Sequence, residues 1–421
     1  MTTLTTPQLS PARIRIALLV LALGGFGIGS TEFVALGLLP NIAHDLLPAL
    51  YARSPEDANA QAGLLASAYA LGVVVGAPTI AAVAARFPRK KLLVVLAAAF
   101  TFFTLLSAVL PTFGLVLAAR FLAGLPHGAY FGIASLVAAS LMGPGKRGAG
   151  VAFVLSGLTI ANVVGVPAIT FLGQATNWRI AYLAVAAIFA LTLVSLIAFL
   201  PAQPGDKAAT MKRELGAFGR AQVWLTLLTG AVGFGGFFAV YTYISPIATD
   251  VSPLPLQAVP LVLVVVGLGM TVGNIIGGRA ADRDVVRTVY VFFALFLVSL
   301  AGLALTAQTL PGLFIFVFLV GLSAAGLSPA IQTRLMDVAG DSQTLAAAAN
   351  HSALNIGNSL GAYLGGVVIA AKFGYIAPVW VGLFLCVPGI VLITASVILQ
   401  RRRGGTLNGE HRSIPVPLGA E

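Results

Sequence analysis

Residues 202–220 read Ala-Gln-Pro-Gly-Asp-Lys-Ala-Ala-Thr-Met-Lys-Arg-Glu-Leu-Gly-Ala-Phe-Gly-Arg. They form the one long polar interruption between spans in a chain that is 58% hydrophobic and only 9% charged. Soluble domains carry roughly 25% charged residues, so this composition marks a polytopic membrane protein. Before the interruption, apolar runs long enough to cross a bilayer fall near residues 16–39, 61–84, 92–110, 113–141, 149–173 and 180–200. After it they fall near 222–247, 258–280, 288–309, 312–333, 344–370 and 377–399. The runs are continuous rather than alternating, which excludes a strand barrel. The expectation is an all-α membrane protein of twelve helices. Residues 1–201 form a first six-helix bundle, 202–220 a cytoplasmic linker, 221–400 a second bundle and 401–421 a basic cytoplasmic tail.

The two sets of spans repeat one another. Gly72 and Gly76 match Gly269 and Gly273, and Arg86 matches Arg283, all at an offset of 197. Phe121-Leu122-Ala123-Gly124-Leu125 matches Phe318-Leu319-Val320-Gly321-Leu322 at the same offset. The stretch from Ser156 to Gly165 matches Ser352 to Gly361 at an offset of 196 and pairs Asn162 with Asn358. Two pseudo-symmetric six-span halves are the mark of transporters that rock two bundles around a site near the midplane.

Small residues four apart let helices approach closely in lipid. Gly72 and Gly76 supply such a stripe on span 2, Gly157, Ala161 and Gly165 on span 5. Gly269 and Gly273 do so on span 8, Gly357 and Gly361 on span 11. One such span would reflect only the abundance of glycine in membrane helices; four related ones mark seams. Spans 3, 6, 9 and 12 are then expected to face lipid, leaving 1, 4, 7 and 10 to line a cavity.

The net charge of +11 does not call for nucleic acid. With the N-terminus inside, 20 of the 24 Lys and Arg fall in inner segments, among them Arg89, Lys90, Arg283 and Arg401. This positive-inside asymmetry places both termini in the cytoplasm. The single cysteine, Cys386, rules out an intramolecular disulfide, and the first span reads as a retained anchor rather than a cleaved signal.

Glu32 is the only carboxylate well inside a span, in Gly29-Ser30-Thr31-Glu32-Phe33. An ionised group at that depth costs about 2.5–3.5 kcal/mol even on lenient scales, which makes it a functional candidate. It lies about eight residues inside the outer end of span 1, and Arg120 about seven inside that of span 4. The two are expected to meet. Burial favours the neutral acid and a nearby arginine the carboxylate, so alternating access could switch its protonation. The competing reading is a static ion pair fixing two helices.

His127 follows Arg120 on the same helical face and could titrate or bind substrate, or be a neutral histidine satisfied by a neighbouring helix. His351, Asn355 and Asn358 form a similar face on span 11, read as interhelical contact or as ligand groups. Glu32 itself, with Tyr69, Tyr130, Tyr241, Phe238 and Gln332, completes the candidate substrate contacts. Aligning Pro40 with Pro246 puts Phe238 opposite Glu32, so the cavity has one ionisable pole and one aromatic, uncharged pole. An amphiphile suits it better than a strongly charged ion. Metal ligation is not expected.

The chain resembles the major facilitator superfamily, in its twelve-span drug:proton antiporter branch. The likeness covers residues from about 12 to 400, and is nearest to arabinose-efflux-permease and chloramphenicol-resistance type exporters. It rests on Thr31-Glu32-Phe33 followed by Gly37-Leu38-Leu39-Pro40-Asn41-Ile42-Ala43, and on the run from Arg120 through Gly132. The loop between spans 2 and 3, an acid-bearing Asp-Arg-x-Gly motif in the family, here reads Ala85-Arg86-Phe87-Pro88-Arg89-Lys90. Its second-half copy keeps Asp282-Arg283. The resemblance implies that these residues latch the halves at the cytoplasmic side, with more of the task on Asp282. The antiporter motif of span 5, normally Gly-Pro, is Gly165-Val166-Pro167 here.

The function so implied is proton-coupled export of a small organic solute by alternating access, with Glu32, Arg120 and His127 as coupling residues. The candidate solutes are a drug of the chloramphenicol type, a sugar or a nucleoside. A symporter importing a similar solute is the alternative. An intramembrane enzyme lacks paired acids, a metal cluster or an activated nucleophile, and a channel fits the repeat poorly. No cofactor beyond the proton gradient is expected. The expected partners are the inner-membrane lipid, a small substrate and protons, and the chain is expected to be a monomer.

Overall fold

The computed structural model describes residues 10–84, 86–203, 205, 210–252, 254–255 and 258–402, and the regular elements in them are helices. Ala85, linker residues 204 and 206–209 (Lys207 among them) and the basic tail from Arg403 onward lie outside the described residues.

The first six long helices are α1 Pro11–Gly37, α2 Pro55–Ala84, α3 Arg89–Val109, α4 Phe113–Met142, α5 Arg147–Ala175 and α6 Trp178–Phe199. The second six are α7 Ala221–Tyr241, α8 Val259–Arg283, α9 Val285–Thr306, α10 Leu310–Val338, α11 Gln343–Ala370 and α12 Ala377–Arg402. Eleven of the twelve are long and apolar enough to cross a bilayer. The twelfth, α11, has the length, 28 residues, but carries Asn350, His351, Ser352 and Asn355. These four are buried in the protein, so its polarity faces other helices.

Proline and polar caps set the ends. Asn177 caps α6 by accepting from the Arg179 amide at 2.8 Å, and Asp284 caps α9 through the Arg287 amide at 3.0 Å. The seventh span, expected over 222–247, is shorter. α7 stops at Tyr241, and the chain continues through a short turn over Ile244–Pro246 and a π-turn over Ile247–Val251. Pro246 has no N–H to give, and its ring would collide with the carbonyl of residue 242 in a continuous helix. A second π-turn, Ala161–Gly165, lies just ahead of Pro167 in α5.

The small-residue stripes pack backbone against backbone. A Cβ on Gly72 would strike the carbonyl of Phe121, and one on Gly269 that of Phe318, so α2 lies on α4 as α8 lies on α10. Gly76 and Gly273 repeat this against Leu125 and Leu322. Gly157 meets the Ala22 carbonyl, and Gly357 and Gly361 meet those of Ala231 and Gly235, so α5 lies on α1 as α11 lies on α7. Gly165 faces the Phe26 ring and the Ser30 hydroxyl. Helices α3, α6, α9 and α12 turn large apolar side chains such as Phe102, Val194, Val298 and Phe384 outward.

α1 begins and α12 ends at one face of the bundle pair, called here the terminal face. Contacts between the halves gather there. Arg147 of α5 donates to Asp337 of α10 at 3.0 Å and to Gln343 of α11 at 2.7 Å. The Asn274 amide of α8 donates to the Ala152 carbonyl at 2.7 Å, and Gln332 of α10 to the Ser135 hydroxyl of α4 at 2.8 Å.

Candidate functional site

Beyond this closed end, between the bundles, lies a cavity with about 730 Å³ of space not filled by protein atoms, the adjoining open solvent included. Its wall is aromatic on the α7 side, where Phe237, Phe238 and Tyr241 face Glu32 and Phe33 of α1. The Phe33 and Tyr241 rings, one from each half, meet edge to face with centroids 6.3 Å apart. The remaining wall holds His127 from α4, Asn274 from α8, and His351, Asn355 and Asn358 from α11.

Three helices expected to form seams, α5, α8 and α11, also line the cavity, α11 with Asn355, which was among the expected substrate contacts. A helix presents several faces: Gly357 turns toward α7 while Asn355 and Asn358, on other faces, reach the open space.

The expected meeting of Glu32 and Arg120 takes a different form. Arg120 is fully buried, and its two terminal nitrogens donate to the Thr31 hydroxyl and the Thr31 carbonyl, each at 2.9 Å. Its guanidinium also stacks 4.5 Å from the Tyr69 ring centre and 5.4 Å from that of Tyr182. Arg147–Asp337 and Arg179–Asp45 are ion pairs among the described residues, and Glu32 belongs to neither. Successive helical residues point about 100° apart. With Thr31 turned toward Arg120, Glu32 is turned into the cavity. The static ion pair is thus not formed, while the arginine charge stays within one residue of the carboxylate.

His127 sits at the floor. Its Nδ1 lies 3.1 Å from the Tyr69 hydroxyl. Its ring lies 5.3 Å from those of Phe131 and His351, and the Phe131 and His351 rings stack at 4.5 Å. One histidine comes from each half, so the floor is itself a junction between the bundles. The Asn355 side chain donates to the His351 carbonyl at 2.9 Å. That leaves three buried polar atoms around the cavity without a protein partner: His351 Nε2, Asn355 Oδ1 and Asn274 Oδ1.

Three expected substrate contacts lie off the wall. Tyr69 stands behind His127 and Arg120. Tyr130 points away, donating to the Leu21 carbonyl at 3.1 Å. Gln332 is enclosed between Ser135 and Asn350, bonded to both. Conversely Asn162, expected at a seam, does reach the cavity, with its amide on the Leu158 carbonyl at 3.2 Å. Asn274, Phe234 and Phe237 were not anticipated. An amide beside a glycine stripe, Gly273-Asn274, was the available signal for the first; aromatic residues in an apolar span give none.

Of the residues expected to latch the halves, Asp282 accepts from the amides of Gly148 at 2.6 Å and Ala149 at 3.1 Å, at the start of α5. Arg89 and Arg283 line a depression beside it on the terminal face. Arg86 lies over the adjacent Phe87 ring at 4.8 Å.

The family model described as Major Facilitator Superfamily matches residues 21–283 and 253–420. The chain belongs to the Major Facilitator Superfamily. It is 39% identical over 363 residues to the inner membrane transport protein YdhP of Escherichia coli K12, covering 86% of this chain and 91% of that protein. It is 31% identical over 381 residues to a chloramphenicol resistance protein of Streptomyces lividans, covering 89% and 95%. Among solved structures it resembles FucP, a superfamily transporter in the outward conformation, with a TM-score of 0.73 at 15% identity. That likeness covers 91% of this chain and 99% of FucP. The twelve-helix, two-bundle architecture expected from the sequence is the architecture found. As a member of this superfamily, the protein is a membrane transporter.

Proposed function

We propose that this transporter exports a small, amphiphilic organic solute from the cell in exchange for protons. The observation that carries the reading is Glu32: among the described residues the one carboxylate on the cavity wall, turned inward by Arg120's grip on Thr31. A carboxylate facing aromatic rings is poorly solvated, so the bundles change face more readily when it holds a proton or when a bound solute satisfies it. Proton and solute then exclude one another at Glu32, which is the condition for exchange. An inward proton supplies about 2.3 kcal/mol per 100 mV of membrane potential.

On the positive-inside distribution the terminal face, where the halves meet, is the cytoplasmic side. Residues 1–201 and 221–400 are the two moving bundles. His127, Phe238, Tyr241 and Asn355 contact the solute, Arg120 positions Glu32 through Thr31, and Asp282 latches the cytoplasmic side. Drugs of the chloramphenicol kind are the first substrates to try, since a relative carries that name; sugars and nucleosides come next. Proteoliposomes given an imposed proton gradient and a panel of these solutes test the reading. Solute moving against the proton flow supports export. Solute moving with it selects the symport alternative.

A further inference from the structure

The helices α5 and α11 occupy equivalent places in the two halves, and neither caps its own start. Lys146, ahead of α5, makes no side-chain cap bond, and Ser342, ahead of α11, makes none either. Each start faces the terminal end of the opposite half, with amides that lack helical partners. For α5 the acceptor comes from across the interface: Asp282 of α8 binds the amides of Gly148 and Ala149. A carboxylate there satisfies two donors and complements the positive end of the helix dipole.

The repeat at offset 197 maps Asp282 onto Ala85, so the corresponding acid for α11 is missing from the first half. The structure places another carboxylate at that helix. Glu214, in the short linker helix Met211–Leu215, accepts from the Leu345 amide in the first turn of α11 at 3.2 Å. Glu214 is almost fully buried. The Ser342 hydroxyl, free of any capping duty, donates to the Arg213 carbonyl at 2.7 Å and fixes the same linker helix from the other side. That helix packs against both α2 and α11, one from each half.

We propose that Glu214 closes α11 onto the first half in place of the acid missing at position 85. The linker is then a working part of the gate and not only a tether. The two latches differ in kind. Asp282 rides on a bundle helix and moves with it, whereas Glu214 rides on a segment held by both bundles, so closure at α11 depends on where the linker docks. The inference rests on the bundles moving against each other. It does not rest on the identity of the solute or on the direction of transport.

The test reads geometry rather than flux. Spin labels at Pro144 and Arg287, in a Cys386→Ala background, report the separation of the halves at the terminal face. Glu214→Ala is expected to shift the ratio of separated to closed populations roughly tenfold toward separation, in the same direction as Asp282→Ala. Adding Ala85→Asp to Glu214→Ala, which puts an acid where the repeat has one, is expected to bring the closed population back. Should the alanine variant not fold, Glu214→Gln keeps an acceptor but loses the charge, and a shift in the same direction is expected. A wild-type distance distribution in the folded Glu214 variants, alongside a shifted one in Asp282→Ala, would overturn the proposal.

Discussion

Arg120 holds Thr31 by two hydrogen bonds of 2.9 Å, one to the side chain and one to the backbone. The contact fixes α1 in rotation against α4 and sets the direction of the next side chain, Glu32. A buried arginine here orients a carboxylate without binding it. Its charge stays close enough to stabilise the ionised acid once a proton leaves, yet the acid remains open to the cavity.

Removing Arg120 should therefore cost stability as well as function. Arg120→Ala loses two charge-assisted hydrogen bonds and two ring contacts, and is expected to lower stability by about 2–4 kcal/mol. Arg120→Lys cannot reproduce the fork and should recover only part of this. Thr31→Ala removes one of the two acceptors and should be milder. Thermal melting of the detergent-solubilised protein ranks the three.

The seams predict a contrast among glycines. Gly157→Ala puts a methyl group into the Ala22 carbonyl, and Gly72→Ala does the same at Phe121. Each should destabilise by about 1–3 kcal/mol through overpacking. Gly63→Ala in α2 and Gly114→Ala in α4 meet nothing within 4 Å and should leave melting unchanged. Equal effects at all four positions would contradict the packing described.

Much of this was legible in the sequence, and what was not has a physical cause. Span positions follow from hydrophobic length, and the seams from glycine spacing repeated in four helices. The match in depth of Glu32 and Arg120 also follows from counting residues. The rotation of α1 does not: a shift of one residue decides whether Thr31 or Glu32 meets the arginine. Tyr130 and Gln332 were misplaced for the same reason, since both fall on helices that line the cavity but on faces turned away from it. The role of Asn274 depended on α8 lining the cavity as well as forming a seam. Glu214 sits in a polar linker, where an acid carries no signal until the fold brings it to Leu345.

The ion pair at the terminal face yields a reciprocal prediction. Arg147 and Asp337 come from different halves and are partly exposed, at 29% and 14% of their side-chain area. Arg147→Asp or Asp337→Arg alone sets like charges together and should favour separation of the halves. The double reversal should restore closure in part, with a coupling of about 0.5–3 kcal/mol in a double-mutant cycle. Distances between labels on the two halves measure each state.

Cavity and scaffold amides should separate by phenotype. Asn274→Ala and Asn355→Ala remove polar atoms that face the cavity, so solute affinity should fall several-fold while melting changes little. Gln332→Ala strands the Ser135 and Asn350 side chains and should cost about 1–3 kcal/mol of stability instead. Paired binding and melting curves on the three variants decide this.

The most direct test concerns Glu32 itself. Purified protein in proteoliposomes, supplied with a transported solute, allows proton movement and solute exchange to be followed together. Glu32→Gln removes the carboxylate from the cavity wall, so solute-driven proton movement and gradient-driven accumulation should both disappear, and any solute-for-solute exchange that remains should be uncoupled from protons. Proton movement retained at the wild-type ratio in Glu32→Gln would contradict the account.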